Sequence, residues 1–452
     1  MTGASAKFRP LAWLVLLALA GCGATLVSGM AVALVYTDSE PALRSFGLTA
    51  QHLRPLHESF ALAWMFLGGV SVVYLYLFRT FGPPPSSVRR RFFGHLVLWT
   101  IAGSGILVTL LLGRFTGREY LGYHPAFSAL ILLGWLLFAW NYFSWGGISL
   151  KGRPVYIYMW SVGIPLFVIT YLEGHLYLLE AVSSRPVRDI AIQWRGTGIL
   201  VGSFNLLAYG SLMYVASCIR GNERYAHSRT AFALFCVGVL NTFTNYGHHT
   251  FHLPQSAWIH WISFIVSMLE TIILAKVFLD FLATRRGAAA TDDLRCSDRF
   301  IRSGTLWTLL MLLLAVMISL PPLNALIHGT HVVVAHSMGS MIGIDSMILW
   351  AALSYLLGHL VRPGHPAVQG TRVRAAIPFI SVFLLVFLIA FLARGIAAGM
   401  LRYLGPSSPD VSLLVKAFPT VMFVSGFGLA ASILWILAHW MIALGHSMWR
   451  ET

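Results

Sequence analysis

Apolar residues form long runs in this chain, and polar residues interrupt them only briefly. Twelve runs reach about 20 residues or more, enough for an α-helix to cross a bilayer and too long for barrel strands. The pattern predicts an all-α integral membrane protein with twelve transmembrane helices, numbered I to XII. The predicted helices cover residues 11–36, 57–80, 91–113, 124–147, 155–181, 191–219, 228–250, 256–284, 303–322, 328–361, 373–403 and 412–446.

Composition and charge support a membrane protein and predict its orientation. The 452 residues are 57% hydrophobic and 10% charged, with a mean hydropathy of +0.75, unlike an ordinary soluble domain. The net charge of +15 comes mostly from loops on one side, such as 89–91, 220–229 and 285–302. The positive-inside rule puts these loops and both termini in the cytoplasm. We therefore expect a multi-pass protein of the bacterial inner membrane, with lipid but no nucleic acid as a partner. No loop is long enough to fold alone, so residues 1–452 form one predicted membrane domain.

Histidines mark the ends of three predicted helices. His57 opens helix II in LRPLHESFALAW, His248 and His249 close helix VII in NYGHHTFHLP, and His336 lies early in helix X in HGTHVVVAHSMG. The predicted topology puts all four toward the outer side of the membrane. Imidazole rings in a bilayer are costly unless they have partners, so their grouping indicates bound heme and metal. For each histidine alone, the alternative is an interfacial side chain that contacts headgroup water.

Helix geometry limits what these residues can bind. Adjacent helical residues point about 100° apart, so the histidine pair can aim at one ion only where the helix ends. Gly247 before the pair and Pro254 after it allow such an end. His336 and Met338 are two residues apart and face nearly opposite directions, so one helix could ligate two hemes. The alternative for Met338 is ordinary packing.

These segments resemble the catalytic subunit of the heme–copper oxidase superfamily, in particular its nitric oxide reductase branch. That family has twelve helices with metal ligands on helices II, VI, VII and X. LRPLHESFALAWMFLGG is similar to its helix II, NYGHHTFHLPQSAWIHWISFIVSMLE to helices VII and VIII, and HGTHVVVAHSMG to helix X. The resemblance covers nearly the whole chain. It implies that His57 ligates a low-spin heme b, that His336 ligates a high-spin heme b, and that His248 and His249 bind a non-heme iron, or copper in an oxygen reductase.

The chain departs from the family pattern at two ligands. Met338 replaces the second histidine of the helix X His-x-His motif, which implies a His57/Met338 low-spin heme with a raised reduction potential. Helix VI lacks the third histidine of the non-heme metal, and Asn205 and Ser203 are its polar candidates. An amide oxygen from Asn205 would favour iron over copper, although this residue could instead bridge helices. His175 of helix V is a second candidate, although the family uses no ligand there.

Carboxylates in or beside apolar runs suggest a route for protons. Nitric oxide reductases use glutamates near the non-heme iron and on helix VIII, and Glu270 matches the helix VIII position. By that resemblance Glu270 delivers protons or tunes the metal, while Glu180, near the outer face, would take protons from that side. The alternative for Glu270 is a buried structural carboxylate paired within the bundle.

The favoured function is a nitric oxide reductase catalytic subunit that reduces NO to N2O. The chain has no CxxCH and no paired-cysteine copper motif, so electrons would come from a donor subunit carrying cytochrome c or a cupredoxin. The first alternative is a terminal oxygen reductase, with O2 as the substrate. The missing His-x-x-x-Tyr of helix VI argues against it. The second is a non-catalytic transporter or heme-binding subunit, although the chain shows none of the internal repeats typical of transporters.

Overall fold

The structure is a computed structural model of the chain. It describes residues 9–35, 40–116, 118–145, 149–185, 188, 192, 197–245, 247, 250, 255–283, 294–361, 364–404 and 409–449. All regular elements in these ranges are helical. The predicted all-α membrane architecture is therefore confirmed.

The described residues form twelve principal helices, with short helical turns in several of the connections. Eleven helices are long and apolar enough to cross a membrane, and α7 is described as a shorter apolar helix of 16 residues. The helices are α1 (Arg9–Val35), α2 (Ala50–Phe81), α3 (Ser86–Leu111), α4 (Pro125–Ser144), α5 (Val155–Gly174), α6 (Gly198–Arg220), α7 (Arg229–Thr244), α8 (Ala257–Ala283), α9 (Arg295–Ser319), α10 (His331–Leu360), α11 (Thr371–Leu404) and α12 (Pro409–Trp449).

The chain divides into two compact units. The first comprises Met1–Ser71, Phe93–Gly134 and Ala290–Thr452, and in it α12 packs on α1 and α11, and α10 packs on α9. The second comprises Val72–Phe92 and Trp135–Ala289, and in it α5 packs on α6 and α7 packs on α8. The single domain predicted over residues 1–452 stays a prediction.

Helix α10 of the first unit is not a regular α-helix throughout. Its segment Gly339–Ser346 is π-helical and lies close against α9. A Cβ added at Gly343 would lie 2.8 Å from the Trp307 Cβ, and one at Gly304 would lie 3.1 Å from the Met347 Cβ. Two glycines therefore allow α9 and α10 to approach each other closely. A π-helical turn leaves some backbone groups outside the regular ladder and is frequent at functional sites.

Candidate metal centre

His57 lies about two turns inside α2, rather than at the start of its helix as predicted, because α2 already begins at Ala50. Its Nδ1 is 2.9 Å from the backbone oxygen of Thr25 on α1. A carbonyl oxygen can only accept, so Nδ1 carries the proton and Nε2 of the neutral ring keeps its lone pair. Metal-ligating histidines are commonly held in this way, by a hydrogen bond from the nitrogen that does not bind the metal.

Gly29 of α1 fixes the position of the His57 ring. A Cβ at this position would lie 2.9 Å from both Cε1 and Nδ1 of His57. The ring therefore lies against the backbone of α1, in space that a side chain at position 29 would occupy. Contact with Gly29 and the bond to Thr25 together define the plane of the ring, which fits a heme ligand.

His336 and Met338 lie on the first segment of α10, His331–Met338, just before the π-helical turn. Both side chains are half-buried. The Nδ1 of His336 is buried and has no hydrogen-bond partner among the described residues. Buried polar atoms are normally paired, so this nitrogen fits a ring that is completed by a bound group.

Arg394 of α11 provides a cation beside the first turn of α10. The neighbouring Gly395 packs directly against the backbone of Val332. The Nη1 of Arg394 is buried and has no hydrogen-bond partner within the described ranges. A guanidinium group in this position suits an anion such as a heme propionate, which it can bind through two parallel hydrogen bonds.

His248 and His249 lie outside the described residues, but the residues on either side of the pair are described. Gly247 and Thr250 are both buried. The Thr250 Oγ1 is 3.2 Å from the backbone oxygen of Gly247 and 2.8 Å from Oε1 of Gln255. Among the described side chains, no three His, Cys, Asp or Glu residues are grouped so that they could hold a metal ion.

The three other candidates for the second metal differ in their surroundings. Asn205 is half-buried and directly follows the π-helical segment Thr197–Phe204. Ser203 is already used, since its hydroxyl donates to the backbone oxygen of Gly163 at 2.8 Å. His175 follows the last residue of α5, and its Nδ1 is 2.6 Å from the oxygen of Tyr171. Its Nε2 therefore has the lone pair.

The Nε2 of His175 is buried and has no hydrogen-bond partner in the described part of the chain. A buried acceptor nitrogen with no partner is the state in which a histidine is ready to bind a metal. Asn205 is not among the described side chains with a buried polar atom that lacks a partner, so its proposed metal-ligand role has no comparable support.

Glu270 of α8 is buried and accepts a hydrogen bond from Nδ2 of Asn241 on α7. The chain of polar contacts continues through Ser267, whose Oγ is 3.1 Å from Oδ1 of Asn241 and 2.9 Å from Oδ1 of Asn245. We did not identify Asn241, Asn245 and Ser267 from the sequence. The available signal was their spacing of three or four residues, which puts Asn241 near Asn245 and Ser267 near Glu270 on one helix face.

Two further carboxylates have contrasting positions. Glu180 is exposed on the short helix Glu180–Ser183, where water can reach it. Asp345 is buried within the π-helical turn of α10 and was also missed in the sequence. Its signal was a lone carboxylate inside an apolar run, which is costly in a membrane unless it has a function.

The helices and these buried groups define a multi-pass membrane protein with the ligand types of heme and metal sites. Over residues 9–431 the sequence matches the family model of cytochrome c and quinol oxidase polypeptide I. The chain belongs to this family. Its members are oxidoreductases of the heme–copper oxidase type, which bind hemes and a metal centre of copper or non-heme iron. The predicted resemblance to the catalytic subunit of that superfamily is confirmed.

Among solved structures, the chain is similar to a heme–copper terminal oxidase that was determined as a dimer. The TM-score is 0.71 and the sequence identity is 14%, over 96% of this chain and 84% of that chain. At this identity the likeness shows the fold. A sequence search of curated proteins finds no match.

We predict that Gly29→Ala displaces the His57 ring and weakens binding of the low-spin heme. Changes in residues that orient a metal ligand typically lower affinity by about 10- to 100-fold. Reduced-minus-oxidised spectra of the purified protein measure this heme. Gly23→Ala, on the same helix with nothing within 4 Å of the added Cβ, is the matched control. Full low-spin absorbance in both variants would contradict the role of His57.

Proposed function

We propose that this protein is the catalytic subunit of a nitric oxide reductase. It would combine two NO molecules with two electrons and two protons to give N2O and water. Glu270 carries the proposal, because a buried carboxylate on α8 contacts α7, the helix that leads to the histidine pair. The sequence also lacks the helix VI His-x-x-x-Tyr of oxygen reductases.

The residues present fit two hemes and a second metal. His57 and Met338 would ligate the low-spin heme b, and His336 the high-spin heme b. His248 and His249 would hold the non-heme iron. When bound, the hemes supply electron transfer and the high-spin heme and iron supply the NO-binding metals. Thr25 and Gly29 fix the plane of the His57 ring, and Arg394 would bind the propionates.

Asn205 is a poor third ligand for the second metal because of its position along α6. A short connection joins α6 to α7, so the two helices are antiparallel. Gly202 contacts Thr242 of α7. Relative to the level of that contact, Asn205 lies about one turn further along α6, toward Arg220. From Thr242 the chain runs the opposite way, toward Gly247, and so away from Asn205.

His175 lies toward the end of the second unit at which α7 also ends. Helix α5 is antiparallel to α6, and Gly163 packs against Leu206. A Cβ added at Gly163 would lie 3.0 Å from the Leu206 Cβ. His175 lies roughly 18 Å beyond Gly163 along α5 at 1.5 Å per residue. Metal–ligand bonds are about 2 Å long, so Asn205 and His175 cannot share one ion. We therefore propose His175 as the third ligand.

The proposed setting follows from the same residues. Electrons would come from a membrane-anchored subunit that carries cytochrome c or a cupredoxin, because the sequence contains neither a CxxCH nor a paired-cysteine copper motif. The protein would lie in a bacterial inner membrane with both termini in the cytoplasm. Glu180, exposed near the outer face, would take up protons there. Glu270, which is buried, would deliver protons or tune the metal.

Metal analysis with reduced-minus-oxidised spectra and gas assays tests the proposed function. We expect two hemes, one additional iron, no copper, and conversion of NO to N2O. His248→Ala should keep both hemes and lose turnover. Copper together with O2 consumption would instead establish the second candidate, a terminal oxygen reductase, which the family description also covers. Absence of heme would leave a transporter or another non-catalytic role.

The third ligand is tested by comparing His175→Ala with Asn205→Ala. We expect His175→Ala to lower the content of the second metal, with an affinity loss of at least about 10-fold. Removing a ligand should lower the metal affinity more than removing a residue that only hydrogen-bonds to a ligand. Asn205→Ala should retain the metal. Metal-to-heme ratios after treatment with a chelator give the measurement. Metal loss in the Asn205 variant alone would reverse the assignment.

Ligation by Met338 predicts a property of the low-spin heme. A thioether ligand raises the heme reduction potential relative to two histidines, so Met338→His should lower the midpoint potential. Met338→Leu should leave a five-coordinate heme with a high-spin spectrum. Redox titration followed by absorbance provides both readings. An unchanged potential and spectrum in both variants would show that Met338 only packs.

A further inference from the structure

Polar side chains form a continuous chain along the contact between α7 and α8. Asn241, Asn245, Ser267 and Glu270 are at most 7% exposed. Glu270 accepts from Asn241, and the Ser267 Oγ faces the amides of both Asn241 and Asn245, at 3.1 and 2.9 Å. Two helices of a membrane bundle therefore meet here through linked hydrogen bonds instead of apolar contact alone.

The hydroxyl of Ser267 links the two amides. Its Oγ lies 2.9 Å from Oδ1 of Asn245 and 3.1 Å from Oδ1 of Asn241, and its one proton is shared between these two acceptors. Asn241 uses its NH2 group on the Glu270 carboxylate, so its oxygen is the atom that faces Ser267.

Glu270 anchors the chain at one end. Its Oε1 lies 3.6 Å from the position that a Cβ at Gly238 would take. Its Oε2 accepts from the Asn241 amide, which compensates this buried carboxylate. A buried carboxylate without a donor is strongly unfavourable, which holds the Asn241 amide in one orientation.

The other end of the chain reaches the segment just before the histidine pair. The backbone oxygen of Asn245 accepts from the Ser263 hydroxyl at 3.0 Å. A Cβ at Gly247 would lie 2.7 Å from the backbone oxygen of Ile259 and 2.9 Å from the Ser263 Cβ. Helix α8 therefore holds the backbone at residues 245 and 247, and residue 247 directly precedes His248.

We propose that Asn241, Asn245 and Ser267 are positioning residues for the pair His248–His249, with Glu270 as their anchor. The proposal rests on the proposed function in one respect, that the pair binds the second metal. It assigns Glu270 an action through hydrogen bonds rather than contact with the metal. Orientation of ligands by a second set of hydrogen bonds is a common requirement of metal sites.

Removal of one hydroxyl provides the test. Ser267→Ala should weaken binding of the second metal by about 10- to 100-fold, measured as metal-to-heme ratio against a chelator. Both hemes should remain in the spectrum. Ser267→Thr, which keeps the hydroxyl, should restore the metal. Ser211→Ala is the matched control, because Ser211 is also buried and its hydroxyl donates to the Leu207 oxygen within α6, at 2.8 Å, rather than to a neighbouring helix.

A second variant separates positioning from a general loss of packing. Asn241→Asp keeps the shape of the side chain but replaces its donor with an oxygen that repels Glu270. We expect the same loss of metal as in Ser267→Ala with intact heme spectra. Loss of metal and hemes together in both variants, or loss in the Ser211 control, would overturn the proposal in favour of unspecific destabilisation.

The outcomes also separate this proposal from the proposed function. Unchanged metal affinity in Ser267→Ala, in a protein that converts NO to N2O, overturns the positioning role alone. A protein that reduces O2 but not NO, and whose Ser267→Ala variant loses its metal, overturns the nitric oxide reductase and supports the positioning role. An unmodified protein that binds no second metal overturns both.

Discussion

A polar group inside a bilayer needs a partner within the protein or a bound group, and this requirement shapes both units. His57 meets it through Thr25, and Glu270 meets it through Asn241. His336 and His175 each have a buried nitrogen without a partner in the described ranges. In a protein of a heme- and metal-binding family, such nitrogens indicate where bound groups complete the structure.

Close backbone contact fixes the groups that hydrogen bonds orient. Gly29 brings α1 against the His57 ring, and Gly247 brings the end of α7 against the Ile259 oxygen on α8. In both places a methyl group would occupy space already filled. Small residues permit close helix contacts in membranes, where van der Waals packing drives association. Here they also put a rigid backbone directly beside a proposed ligand.

The sequence was sufficient for the helices but not for their ends. Long apolar runs follow directly from bilayer thickness, so the number and type of elements could be predicted. The sequence put the start of helix II at residue 57, whereas α2 begins at Ala50 and contains Pro55 inside the helix. Helix α9 begins at Arg295 rather than 303, since its first turns extend beyond the apolar run.

The site was only partly accessible from the sequence, for a different reason. Histidines in apolar runs are conspicuous because each is costly there. Asparagine and serine are common in membrane helices, and their roles depend on which face meets which neighbour. Asn241 and Ser267 are 26 residues apart in sequence, and only the rotation of α7 against α8 brings them together. Spacing within one helix shows that a polar stripe exists but not what it contacts.

The third ligand changes the argument about the metal and substrate. With Asn205 as the ligand, a hard amide oxygen would favour iron. With His175, three imidazoles would bind the metal, and imidazole suits iron, copper and zinc alike. The choice between NO and O2 as the proposed substrate then depends on the electrons and protons that each reaction needs. Reduction of two NO molecules needs two electrons, whereas reduction of O2 to water needs four. The missing helix VI His-x-x-x-Tyr and the buried Glu270 on α8 then remain the observations behind the proposed nitric oxide reductase.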